Sequence, residues 1–224
     1  MAATADTQAA TAPATQDIPG EHTTIFTPQR LRMLAYVGGA LVIAAAAAWF
    51  IMTANRRKEE YASRALDEGR NAAEQLNMGL AVQQFTKVIS SYKGTDAAYE
   101  AALGIAQARL ISGQNELAIA SLGDFIKTNP PATYQAPAEG LLGTAYENTA
   151  RWPEALAAYR KAADLYSVDY LKASALLDAG RAARLGGKRD DAMAIYREVL
   201  AKYGKTAAQT EAQIRLAELN GGQP

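Results

Sequence analysis

Few side chains in this 224-residue chain are of the kinds that make or break covalent bonds. Cysteine is absent, which removes disulfides, thiolate metal sites and cysteine nucleophiles. The one histidine, His22, lies in a polar stretch and reads as a solvated residue rather than a general base. No HExxH, GxxxxGK(S/T) or GxSxG run occurs. Asp and Glu are scattered at helical spacing, as on solvated helix surfaces. The sequence therefore predicts no catalytic, metal or cofactor residues and no enzyme. Lys+Arg and Asp+Glu each total 23, and a formal net charge of zero gives no general attraction for nucleic acid. What does recur is a set of polar groups spaced 37 residues apart: Arg70, Gln107, Thr144 and Arg181. Beside it run Ala73, Leu110, Glu147 and Arg184, then Glu74, Ile111, Asn148 and Leu185. Guanidinium, amide, hydroxyl and carboxylate groups in such rows make reversible contacts, so the chemistry they suggest is binding.

The elements that carry these rows fall into three segments. Residues 1–29 are rich in Ala, Thr and Gln, include Pro13, Pro19, Gly20 and Pro28, and have no apolar periodicity. Such a stretch buries too little apolar surface to offset its ordering entropy and is expected to be disordered. It lacks the short basic start of a secretion signal. Residues 33–52 follow, 20 residues without a charge. At ~1.5 Å per residue a helix of this length spans about 30 Å, the thickness of a bilayer core. Tyr36 and Trp49 sit near its ends, where amphipathic rings favour the interface, and Arg30, Arg32, Arg56, Arg57 and Lys58 flank it. A buried soluble helix or a cleaved signal are the other readings; the basic flanks oppose the first, and the long uncharged lead and long apolar run oppose the second. Ala35 with Gly39 and Ala40 with Ala44 form small-xxx-small pairs, a weak pointer to self-association.

Residues 56–220 hold helix formers with regular breaks and an internal repeat. Ala81, Ala118, Ala155 and Ala192 recur at the same step as the polar rows, as do Phe85, Leu122, Tyr159 and Tyr196, and Val88, Phe125, Ala162 and Val199. So do Gly69, Ala106, Gly143 and Gly180, and Leu76, Gly113, Ala150 and Gly187. Small residues let the two helices of a unit approach, and the bulky column one turn on fills the gap. Gly113 and Gly187 suit helix ends that need positive φ. Pro153 suits a helix start, and Asn129-Pro130 a stop between units. Helix pairs are expected near 60–91, 96–128, 135–166 and 169–203. A capping helix is expected at 206–219, with Ala212, Ile214, Leu216 and Leu219 covering the open end. Trp152 is expected to pack in a turn between helices, and Lys188-Arg189-Asp190-Asp191 to be a solvated turn.

Leu142-Gly143-x2-Tyr146-x8-Ala155-x3-Tyr159-x2-Ala162 resembles the tetratricopeptide-repeat signature. Gly113, Ala118 and Pro130 in the second unit match it, as do Gly180, Gly187, Ala192 and Tyr196 in the fourth. The usual tryptophan is missing, and Ala65, Ala102, Glu139 and Leu176 occupy its column. The resemblance implies an all-α fold: one transmembrane helix, then an α-solenoid of about four helix pairs and a capping helix. It also implies that first helices line a ligand groove. Arg70, Gln107, Leu110, Thr144, Glu147, Asn148, Arg181 and Arg184 would then face a protein or peptide partner. The layout of tail, anchor and repeats is similar to the YfgM-type ancillary subunit of the bacterial Sec translocon, and the units to those of the Tol–Pal coordinator family. This similarity implies a single-pass protein of the bacterial inner (plasma) membrane, with its repeats outside the cytoplasm and translocon subunits or a periplasmic chaperone as partners. The alternative is a scaffold that self-associates into a homo-oligomer. The basic residues after the anchor (Arg56, Arg57, Lys58, Arg64 and Arg70) outnumber Arg30 and Arg32 before it, which by itself favours a cytoplasmic repeat domain.

Overall fold

The computed structural model describes residues 28–221. The expected tail, with His22, lies outside them except for residues 28 and 29, which open the first helix. Proline suits that position because its missing N–H is one of the unpaired groups of a helix start. The helices are α1 (Pro28–Glu74), α2 (Met78–Ser91), α3 (Asp96–Ile111), α4 (Asn115–Lys127), α5 (Ala132–Asn148), α6 (Trp152–Leu165), α7 (Asp169–Leu185), α8 (Arg189–Tyr203) and α9 (Ala208–Leu219). No strand occurs among the described residues. The chain divides into two compact units, Met1–Ile51 and Met52–Pro224.

In the first unit, α1 presents Leu34, Val37, Leu41, Ile43 and Phe50 exposed. The most apolar window of this helix is 0% buried, so it is not the core helix of a soluble fold. It is long and apolar enough to cross a membrane, the one such helix among the described residues.

In the second unit the chain forms helical hairpins, and the column chemistry appears as close pairs. A Cβ on Gly143 would lie 2.6 Å from the Tyr159 ring, and one on Gly180 would lie 2.5 Å from that of Tyr196. Gly69 meets Phe85 in the same way, and Gly104 of the next unit closes on the other edge of that ring at 2.7 Å. In the second unit of the repeat, Ala106 replaces the glycine and Leu122 replaces the ring, and both are buried in one cluster. Neighbouring helices also exchange polar ties. Glu59 accepts hydrogen bonds from the backbone N–H groups of Asp96 (3.1 Å) and Ala97 (3.0 Å), capping α3 from α1.

The column at the end of each first helix has positive φ throughout: Leu76 57°, Gly113 69°, Ala150 56° and Gly187 76°. Glycine reaches this conformation without the Cβ penalty that Leu76 and Ala150 carry. Both side chains are exposed, so little packing is lost by removing them. Ala150→Gly is therefore expected to raise stability by about 1 kcal/mol, and Gly187→Ala to lower it by a similar amount. Urea midpoints at constant m-value check both.

Three sequence expectations are corrected. Glu139 is not on a solvated surface: it is 3% exposed, in the column where the signature places tryptophan. Its Oε1 lies 2.5 Å from Lys161 Nζ on α6, but no donor is aligned with that oxygen as a hydrogen bond. Ile214 does not cover the core and is 53% exposed. Ala212, Leu216 and Leu219 share the packed face of α9, whereas a residue two positions after Ala212 points the other way. Finally, α5 begins at Ala132 rather than 135. The Pro131 carbonyl accepts the Tyr134 and Gln135 N–H groups at 2.8 and 3.0 Å, which nucleates the helix early and leaves Pro137 inside it.

Most of the buried apolar side chains fall into three clusters. One joins α1, α2 and α3 around Phe85 and Val88. Ala106, Leu122 and Ala138 form the middle one. The largest runs from Ala155 to Ala212 around Tyr159, Ile195 and Tyr196.

Candidate functional site

The first helices of the units, the C-terminal part of α1 with α3, α5 and α7, line a row of open recesses. Two adjoining ones, of about 250 and 210 Å³, lie between α1 and α3. Arg70, Phe85, Gly104 and Gln107 border both. A third of about 260 Å³ lies between α3, α5 and α7, bordered by Gln107, Thr144, Tyr159, Tyr166, Ser174 and Asp178 among others. Gln107 is exposed and common to all three, so the recesses neighbour one another along the first helices.

The eight residues singled out by the sequence fall into three groups. Arg70, Gln107 and Thr144 border the recesses. Glu147 and Arg181 meet each other across α5 and α7: Arg181 donates from Nε to Glu147 Oε1 at 2.8 Å and from its terminal nitrogen to Oε2 at 3.0 Å. Leu110, Asn148 and Arg184 border none of the three. Leu110 is half-buried, Asn148 donates to Asn115 at the start of α4 (3.0 Å), and Arg184 is exposed, with no ion pair among the described residues. Leu103, Pro137, Gly140, Leu141, Ser174 and Asp178 also border the third recess and were not among the eight. Leu103, Gly140, Leu141 and Asp178 lie about one helical turn before the polar rows on the same helices, Pro137 and Ser174 about two, and Gly104, Leu141 and Asp178 recur at the repeat step. The signal was the same period, read one or two turns earlier.

The floor of this groove is tied by a network. Arg181 also donates to Asp178 at 2.6 Å, Tyr159 donates its hydroxyl to Glu147 at 3.0 Å, and the Tyr159 hydroxyl lies 3.2 Å from the Thr144 hydroxyl. The Arg181 guanidinium lies 6.0 Å from the Tyr159 ring centroid, in cation–π range. Burial, partly offset by Arg181 and reinforced by Glu147, pushes the Asp178 carboxyl above the usual carboxylate range. Burial likewise raises the Tyr159 hydroxyl, and the bond to Glu147 holds Arg181 protonated. At the other end Arg70 pairs with Glu100 on α3 and with Asp67.

Arg181 is thus part of the fold rather than a free cation awaiting a ligand. Arg181→Ala would leave Glu147 and Asp178 without their shared counter-charge. The expected loss is about 2 kcal/mol, below the cost of breaking a fully buried pair because the arginine is partly exposed. Arg184→Ala is expected to change stability by less than about 0.5 kcal/mol. Thermal melts of the two variants check the contrast.

Stacked hairpins with a groove along their first helices define an α-solenoid of the tetratricopeptide type. Residues 174–206 match the tetratricopeptide repeat. Among solved structures, the chain is similar to the nearly identical TPR-like repeats of a Podosopora anserina protein described as a kinesin light chain, at 16% identity and a TM-score of 0.59 over 71% of this chain and 85% of that one. It is also similar to MamA protein, at 20% identity and a TM-score of 0.58, covering 73% and 82% of the two chains. At these identities the likeness is one of fold. No curated protein sequence matches the chain.

Proposed function

We propose that this chain is a membrane-tethered, non-enzymatic binding module whose groove holds an extended segment of another protein. One observation carries the reading: three neighbouring open recesses share Gln107 and lie in a row along the first helices. A row of small, neighbouring recesses suits successive side chains of a peptide better than one compact metabolite. The exposed apolar helix ahead of the repeats supports tethering at a bacterial inner membrane. The layout of anchor and repeats supports a role as an accessory to the Sec translocon or an envelope chaperone network, with the repeats outside the cytoplasm. The basic residues after the anchor favour the opposite orientation. A cytoplasm-restricted reporter fused after Pro224 decides between them, and strong reporter signal would refute the extracytoplasmic placement.

A photoreactive residue in place of Gln107, compared with one in place of the exposed Gln83 on α2, tests the groove in intact membranes. Adducts to other proteins at position 107 and not at 83 support an adaptor. Translocon or chaperone subunits among them support the accessory role. Self-adducts alone would instead favour a homo-oligomeric scaffold, the reading to which the small-residue pairs Ala35/Gly39 and Ala40/Ala44 lend weight.

A further inference from the structure

We infer that the recess between α3, α5 and α7 takes a lysine or arginine side chain of the bound segment, so that the groove selects basic peptides. This rests on the groove being a peptide site, as proposed above. At about 260 Å³ the recess is smaller than the ~300–1,000 Å³ of small-molecule pockets, a size suited to one side chain rather than a cofactor. Two tyrosines, Tyr159 and Tyr166, border it; Arg181 already lies over the Tyr159 ring, and the half-buried Tyr166 supplies a second ring, whose face attracts cations.

Charge points the same way. Arg181 is the shared partner of Glu147 and Asp178, so two carboxylates face one guanidinium at this end of the groove. Arg181 reaches Asp178 through Oδ1, and Asp178 itself borders the recess. Across all three recesses the charged lining residues are Arg70, Glu74, Glu100 and Asp178, one base against three acids. Arg70 is already paired with Glu100. The raised carboxyl of Asp178 is what an acid shows when burial and a like charge are incompletely compensated, and an incoming cation supplies the compensation. The Ser174 side chain is exposed at the same recess and leaves room at its mouth.

The test uses the full chain in lipid nanodiscs, a pool of short random-sequence peptides and a photoreactive residue in place of Gln107 to report groove occupancy. Cross-linked peptides are expected to be enriched in Lys and Arg. Binding of a selected basic peptide, followed by fluorescence polarisation, is expected to fall about tenfold or more in Asp178→Asn, the size of a lost charge-assisted hydrogen bond. Ser174→Lys, which leaves the Arg181 network untouched, is expected to produce a comparable loss and serves if Asp178→Asn disturbs folding. Cross-linked peptides without basic enrichment, or basic-peptide binding unmoved by Ser174→Lys, would overturn the inference while leaving the groove reading intact. Absence of any peptide adduct at position 107 would overturn both.

Discussion

Gly180→Ala is expected to destabilise the repeat domain by about 2–3 kcal/mol, a fall of roughly 5–10 °C in Tm. The added methyl would sit 2.5 Å from Cε1 of Tyr196, a ring that is 1% exposed. Close-packed surroundings leave that ring little room to withdraw. The second unit supplies the remedy, because there an alanine (Ala106) faces a leucine (Leu122) in the same two columns. Tyr196→Leu alone is expected to cost stability through lost contacts. Combined with Gly180→Ala, it should restore part of what the alanine removed, so that the double variant melts above the Gly180→Ala single. A double-mutant cycle by thermal melting measures this coupling, expected at 1 kcal/mol or more in the compensating direction. Strict additivity would mean that the ring is not what the glycine accommodates.

The second large effect is expected at Glu139, and its sign depends on which partner is changed. Lys161→Ala removes the cation that faces a carboxylate held 3% exposed on α5. The expected cost is about 2–3 kcal/mol, below the full cost of breaking a buried pair because Lys161 is half-exposed. Glu139→Leu removes the charge itself and installs the residue that Leu176 supplies at the same column of the next unit. It is expected to be neutral or stabilising by about 1–2 kcal/mol. Chemical denaturation of the two single variants settles the matter, and equal losses from both would argue that the ion pair is a net contributor to folding.

These two sites also mark where sequence periodicity informs and where it stops. The repeat step located both helices of each unit because it reports a packing requirement: Gly143 must face Tyr159, and Gly180 must face Tyr196, whatever lies around them. The apolar stretch before the repeats was equally legible, since length and absence of charge are properties of the chain alone. Glu139 was not, because its column marks it as interior while its side chain reads as surface, and its partner Lys161 comes from another helix with no fixed spacing to announce it. The groove was legible as a direction and not as a set of contacts. Arg181 stands in the correct row, but whether a guanidinium is free or already engaged depends on Glu147, one unit earlier, and on Asp178, one turn back. Asp178 itself shares a column with Asp67, Gly104 and Leu141, a row with no common chemistry to draw attention to it.

The division of the apolar interior into three clusters sets how this array comes apart. The middle cluster has three buried side chains, against nine and sixteen in those beside it. In a stack where each hairpin leans only on its neighbours, cohesion is only as great as the thinnest joint. Strain applied along the chain, whether from heat or from a tethered partner being pulled, is expected to concentrate between α3 and α5. The expected result is that the solenoid parts there into two smaller stacks before either one melts, with amide exchange rising first in α3 to α5.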